Sequence, residues 1–418
     1  MNGKKITVLL WLASAGMVFL VQAQNARIDA LGGAFIVPDF SRTLYNPAIM
    51  NDYKDHAEIT FNSGAIMGTK TLGGAFSLGA YMNRGLMLRY FYTGAGAELN
   101  FTPYTVSTAA NIPNATNMQY FPHILWGFDL QTFQIGFDTY FEWARRTDYS
   151  VVENPMAFQE TDEALTIYHP GLIAGFKINL NSAAILFHMG GGIPRATGTI
   201  ERSNVAPIGI AQIETEKGVF GRVGVEVTAH IAKTALTIGL DGRYEAFQFS
   251  QVAPVAGATK VRSDIITDVT GTPYLGTTTD FGNGLLMVLM GRSVVDRLQG
   301  ENDAGTMTDT EYDLYHALIG GVEKQFQKPW KFDSLALRGG VNWGASTAWA
   351  TSETTASSTT PATQTTTKPI TTLGPAYPYL GCGVAKNFFR MDLLLNPASW
   401  NAAFVGPAVS RVTISLAY

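Results

Sequence analysis

The chain has 418 residues, with 43 Gly, 24 Phe, 17 Tyr and 7 Trp against only 15% charged residues, and a formal net charge of -4. That balance leaves no basic footprint for nucleic acid. The single cysteine, Cys382 between two glycines, excludes an internal disulfide framework and a cysteine-based zinc site and reads as a small strand residue.

Residues 1–23 place Lys4 and Lys5 ahead of an apolar run from Ile6 to Val21, followed by the small-residue spacing Val21-Gln22-Ala23. This predicts a secretory signal peptide cleaved after Ala23. No later apolar run reaches the ~18 residues of a spanning helix, so any membrane crossing must be made by strands.

Residues 24–54 include "NARIDALGGAFIVPDFSRTLYNPAIMNDY". Gly32 and Gly33 predict a tight backbone path, and with no Gly-Lys-Ser/Thr following they do not make a phosphate loop. Asn46, Pro47 and Ala48 carry a turn-initiating pair, either a structural turn or a hinge.

From there the pattern is period two. Residues 132–143, "TFQIGFDTYFEW", set Phe133, Ile135, Phe137, Phe141 and Trp143 against Asp138 and Glu142. Such alternation means a strand with one apolar and one polar face. The same reading gives strands at 56–66, 72–82, 85–93, 121–130, 132–143, 166–179, 183–193, 218–231, 234–249, 313–326, 332–345, 377–386, 388–396 and 409–418, fourteen in all. Short turns alternate with long segments at 94–120, 144–165, 194–217, 250–312 and 346–376, as in an outer-membrane barrel with one short-turned rim. The stretch 282–300 could be one further strand, but an odd count breaks chain direction at the next turn. Met287, Met290, Val294, Val295 and Leu298 recur at helical steps, so a helix inside the 250–312 loop is expected.

The predicted fold is therefore all-β: a 14-stranded antiparallel transmembrane barrel, residues 55–418, since only a closed sheet satisfies its own backbone in hydrocarbon. Apolar side chains face lipid, Trp143 joins the interfacial girdle, and the last strand offers Val412, Ile414, Leu416 and Tyr418 to the lipid side. The lumen receives Arg89, Asp138, Glu142, Lys177, Arg222, Glu226, Asp241, Arg243 and Arg338, expected to pair with one another because lone buried charge is costly. Phe281, Leu285, Leu286, Met287, Leu289 and Met290 form the most apolar patch of any predicted outer loop, either a ligand-receiving groove or a packing face.

The N-terminal segment closely resembles the signature of the FadL-like long-chain fatty-acid transporter family. The residues that carry the likeness are Ala26, Arg27, Ala30, Leu31, Gly32, Gly33 and Ala34, an acidic Asp39, then Asn46, Pro47 and Ala48. The resemblance implies a fourteen-stranded barrel with residues 24–54 folded as a hatch in the lumen. It also implies passive uptake of a hydrophobic molecule across the outer membrane of a Gram-negative-type bacterium, ending in sideways exit through a strand kink. The hatch is short for the family, and 345–372 is a Thr/Ser-rich, hydrated stretch. Expected partners are a hydrophobic small molecule, outer-membrane lipid and the barrel assembly machinery, with a monomeric protein and no cofactor. The alternatives are a protein-interaction or secretion platform on the same barrel and a general porin. With no Gly-x-Ser-x-Gly elbow and no His-Glu-x-x-His pair around any of its six histidines, the sequence offers no catalytic or metal site.

Overall fold

The computed structural model describes residues 26–61, 65–82, 100–101, 104–105, 116–120, 122–154, 157–203, 209–252, 260–262, 265–301, 307–329, 331–354, 363–366, 369–395 and 409–417. The predicted signal peptide, the strand at 85–93 with Arg89, and most of 94–120 lie outside them.

The described residues form one closed antiparallel barrel of sixteen strands. In order these are β1 (His56–Phe61), β2 (Ala65–Thr71), β3 (Phe76–Met82), β4 (His123–Leu130), β5 (Phe133–Asn154) and β6 (Ala157–Asn179). Next come β7, in two pieces (Ala183–Gly192 and Arg195–Ser203), β8 (Gly209–Ile231), β9 (Thr234–Val252), β10 (Ile265–Gly282) and β11 (Leu285–Glu301). The wall ends with β12 (Met307–Gln327), β13 (Ser334–Thr354), β14 (Tyr377–Lys386), β15 (Phe389–Leu395) and β16 (Val409–Ala417). The circle closes where β16 pairs β1, from His56 opposite Ala417 to Phe61 opposite Val412. Short segments such as Thr116–Tyr120 and Ile370–Leu373 extend the wall at its open end.

The count corrects the expected fourteen. The predicted strand 56–66 is two strands, β1 and β2, while β3 pairs directly with β4, so the predicted 85–93 is not among the sixteen. The predicted helix at 282–300 is strand β11, hairpinned to β10 through Asn283 and Gly284. A hairpin adds two strands and keeps chain direction, so the parity argument excluded one extra strand but not two. The helical spacing misled because β11 is apolar on both faces: Met287 and Leu289 point outward, while Val288 and Met290 are buried inward. A strand covered on both sides reads as a continuous apolar run. The segments 144–165 and 194–217, expected as loops, are instead the upper parts of long hairpins, and β13 carries the wall on to Thr354.

One rim carries tight turns. They are closed by residues in the left-handed region, among them Gln131 (φ 69°), Ala232 (53°), Asn283 (52°) and Asn387 (53°), which reverse the chain in one or two residues. The wall's outer face is apolar: Ile238, Leu275, Leu289, Leu318 and Trp343 are all about half exposed. Charges gather on the other face, and hydrocarbon is the solvent such a wall needs. No helix among the described residues is long and apolar enough to span a membrane.

A sixteen-stranded barrel is too wide for its own side chains to fill. Residues 26–54 occupy the lumen as a hatch made of α1 (Ala26–Ala30) and two short 3-10 helices, Phe40–Leu44 and Pro47–Asp52. Leu31, Ala34, Ile36 and Val37 pack on Val288, Met290, Ala317 and Ile319 of β11 and β12, while Phe40, Leu44 and Met50 pack on Met67, Tyr81 and Leu125.

Candidate functional site

The hatch is held by charge and by glycine. The Arg27 guanidinium donates to both carboxylate oxygens of Glu323 at 3.0 Å, and Arg338 bridges Glu323 (2.5 Å) and Asp392 (2.8 Å) behind it. Arg42 binds Glu226 at 2.5 Å, and Lys177 binds Asp52 at 2.6 Å. Arg411 pairs with Asp29. Burial nevertheless pushes the Asp29 carboxyl up to about 6, because lost hydration outweighs the pull of Arg411.

The motif residues have structural work that explains their types. Asn46 caps the second 3-10 helix, its side chain accepting from Ala48 N at 3.0 Å while its amide donates to Phe187 O at 3.1 Å. Pro47 lies so close to the wall that a Cβ on Gly136 would sit 2.3 Å from its carbonyl, and one on Gly175 would sit 2.2 Å from Asn46 Oδ1. Gly32 has φ 77°, and a Cβ there would meet Val341 O at 2.7 Å. Gly33 shares the left-handed conformation at φ 86°.

The other predicted lumen charges are also placed. Arg222 pairs with Asp241 at 2.9 Å, with His188 on the same carboxylate at 3.1 Å, and Arg243 reaches Glu245 at 3.5 Å. Asp138 and Glu142 belong to a buried chain in the wall. Tyr81 donates to Asp138 (2.5 Å), His123 contacts Asp138 (2.9 Å), and His169 links Glu142 (2.7 Å) to Tyr140 (3.2 Å).

The six residues predicted as an outer-loop groove do not form one. They flank the tight turn at Asn283 on strands β10 and β11, and alternate between faces. Phe281, Leu285, Met287 and Leu289 share the outward parity, whereas Leu286 and Met290 pack on the hatch. The physical reason is strand geometry: neighbouring residues point to opposite sides.

What the structure does provide is a pair of hollows on the two faces of one stretch of wall. Inside, a cavity of about 190 Å3 between hatch and wall has Phe35, Tyr45, Ile49, Tyr274 and Val294 on its apolar side, with Arg292 and the paired groups Arg42–Glu226 and His188–Asp241 also in its lining. Phe35 stacks on Tyr45 (5.4 Å) and meets Tyr274 edge-on (4.8 Å). A neighbouring hollow of about 310 Å3, more polar, shares Phe35, Tyr45 and Arg292. Arg292 has no carboxylate partner among the described residues, and its Nε is buried without a hydrogen bond.

Outside, an apolar groove of about 760 Å3 crosses six strands between two rows of the ladder. One row runs Val225, Leu240, Pro273, Ser293, His316, Ala345; the other runs Val227, Ile238, Leu275, Gly291, Leu318, Trp343. The groove is deep where these side chains are small. Tyr274 and Arg292 border both the groove and the inner cavity. Between the hollows the β10–β11 ladder is interrupted: Gly271 pairs Val295 and Tyr274 pairs Arg292, with no pairing for Thr272 or Pro273 between them. Pro273 lacks the N–H a ladder needs. Sequence reasoning missed Pro273, Tyr274 and Arg292 because they fell in the stretch read as a loop. A Thr-Pro-Tyr inside a β-rich run was the one available signal.

No protein-family model matches the sequence, and no curated protein matches it. Among solved structures the chain is similar to the toluene transporter TodX of Pseudomonas putida, at 9% identity and a TM-score of 0.36 over 96% of this chain and 97% of that one. It is also similar to the ferric-catecholate import receptor Fiu of E. coli K12, at 9% identity and a TM-score of 0.26 over 86% and 80%. The chain's own geometry, a closed wall with an apolar outer face and a lumen occupied by its N-terminal segment, makes it a transmembrane β-barrel of the outer-membrane type.

Proposed function

We propose that this barrel admits hydrophobic small molecules, long-chain fatty acids or hydrocarbons, passively across the outer membrane. The observation that supports the reading is the pairing of a cavity between hatch and wall, with Phe35, Tyr45 and Tyr274 in its lining, with an apolar groove on the lipid face, the two separated by an unpaired stretch of ladder at Pro273. A ligand reaching the inner cavity exchanges water for Phe35, Tyr45 and Tyr274 at a gain of about 0.8 kcal/mol per buried CH2. From there the shortest way to hydrocarbon is sideways between β10 and β11, where the ladder skips Thr272 and Pro273. Arg292 gives the cavity an uncommitted positive charge, suited to the head of a fatty carboxylate.

The test is uptake of a radiolabelled long-chain fatty acid and of an alkane into cells that lack other routes, with and without this protein. Uptake that depends on the protein, and that falls when the β10–β11 gap is closed, supports the proposal. Equal passage of small hydrophilic solutes, with no gain for apolar ones, would replace it with the porin reading.

A further inference from the structure

On the lipid face of the wall, Ser293 of β11 and His316 of β12 stand opposite each other in register, with Ser293 Oγ 2.7 Å from His316 Nδ1. His316 is exposed, and both side chains lie on the outward parity, in the floor of the apolar groove. A hydroxyl and a neutral imidazole have two donors between them, and their mutual bond consumes one. If Ser293 donates, His316 Nε2–H is left over; if His316 Nδ1–H donates, the Ser293 hydroxyl proton is left over. In either tautomer one donor faces the groove, and it meets no acceptor among the described residues.

Hydrocarbon cannot supply that acceptor. The pair's place along the wall says what can. It lies between two outward tryptophans of β13, one same-face step from Trp343 and two from Trp349, which stacks on Tyr312, and outward aromatics gather where hydrocarbon gives way to headgroups. The first acceptors met from the hydrocarbon side of that boundary are the carbonyls of ester-linked acyl chains, which lie deeper than the headgroup phosphates. The groove is also long enough for a chain: six strands at ~4.8 Å spacing span about 24 Å. Its floor is open at Gly291, where an added Cβ would meet nothing within 4 Å.

We propose that this groove seats one acyl chain of an ester-linked membrane lipid, whose ester carbonyl accepts the hydrogen bond that the Ser293–His316 pair has to give. The site binds and does not cleave: no carboxylate among the described residues is hydrogen-bonded to His316, and the pair's single spare donor recognises the carbonyl. The proposal rests on the outward face of the wall and not on the transport reading.

The experiment is native mass spectrometry of the full-length protein in detergent, titrated with a diacyl phosphatidylglycerol and with its dialkyl-ether analogue of equal chain length. The wild type is expected to retain one ester lipid about tenfold more readily than the ether lipid, the worth of one hydrogen bond in an apolar site. The double variant S293A/H316L, which faces lipid and keeps the heat-modifiable gel shift of a folded barrel, should bind the two lipids equally. Gly291→Leu fills the groove and should lower retention of both. Equal binding of ester and ether by the wild type would overturn the proposal, as would unchanged retention in Gly291→Leu. Release of free fatty acid by the wild type but not by Ser293→Ala would replace binding with hydrolysis. Uptake plays no part in the readout, so this assignment and the transport proposal fail separately.

Discussion

Arg27 in the hatch and Glu323 in β12, 296 residues apart in sequence, meet in a two-pronged ion pair with both N···O distances at 3.0 Å. Glu323 is also the partner of Arg338. Removing the Arg27 guanidinium leaves a buried carboxylate with one cation in place of two, and takes away the hatch's main anchor on that side. Arg27→Ala is expected to weaken hatch docking by about 3 kcal/mol, in the range for breaking a buried pair. Faster hydrogen exchange across residues 26–34, with barrel strands unchanged, is the measurement.

Steric contact makes a second, independent prediction. Gly136 and Gly175 face Pro47 and Asn46 so closely that a methyl group cannot be accommodated at either position. Gly136→Ala combined with Gly175→Ala should therefore displace the Asn46–Pro47–Ala48 turn while the wall itself still closes. Planar-bilayer recordings should then show larger and noisier conductance than the wild type.

Pro273 interrupts the ladder, so supplying an N–H should mend it. Pro273→Val is expected to extend β10–β11 pairing through Thr272 and Ser293 and to lower the rate of hydrophobic uptake several-fold. Ligand affinity in the inner cavity should stay the same, because the cavity side chains are untouched. Equilibrium binding and uptake measured on the same variant separate the two effects.

Arg292 distinguishes ligand classes. Arg292→Leu removes the one lining charge without a carboxylate partner among the described residues and leaves the paired Arg42–Glu226 and His188–Asp241 in place, and should weaken binding of a fatty carboxylate about tenfold, the loss of one charge-assisted hydrogen bond. Binding of an alkane of the same length should be equal or tighter. Isothermal titration with the two ligands reads the difference.

Asp29 gives the hatch a pH dependence. Its carboxyl sits near 6 when docked against an ordinary 3.8 when released. The docked state therefore binds the proton more tightly. This contribution, about 3 kcal/mol, is complete below pH ~4 and is lost as the pH rises through 6. Exchange protection of α1 should fall between pH 4 and 7, and Asp29→Asn should flatten the profile.

Much of this architecture was legible in the residues. Wherever one strand face met lipid and the other met charge, as in β5, β8 and β16, period two located the strand and its orientation. The hatch, too, was visible as a motif with its own turn chemistry. Period two is hidden in β10 and β11 for a physical reason. Val288 and Met290 are apolar because they cradle Leu31 and Ile36, residues some 250 positions away, and nothing local records that. The candidate site lay in the same blind spot, since Pro273 and Arg292 have meaning only once the strands beside them are known.

Sequence by itself determined that this chain crosses a membrane as strands and, outside β10 and β11, which side chains face lipid, because side-chain alternation is a property of the strand alone. Only the tertiary structure decided the number of strands, the partner of each lumen charge, and the place where inner cavity and outer groove lie back to back. Those depend on which distant segments share the lumen and on which neighbouring strands lose a hydrogen bond, and contact across the barrel leaves no periodic mark in the chain.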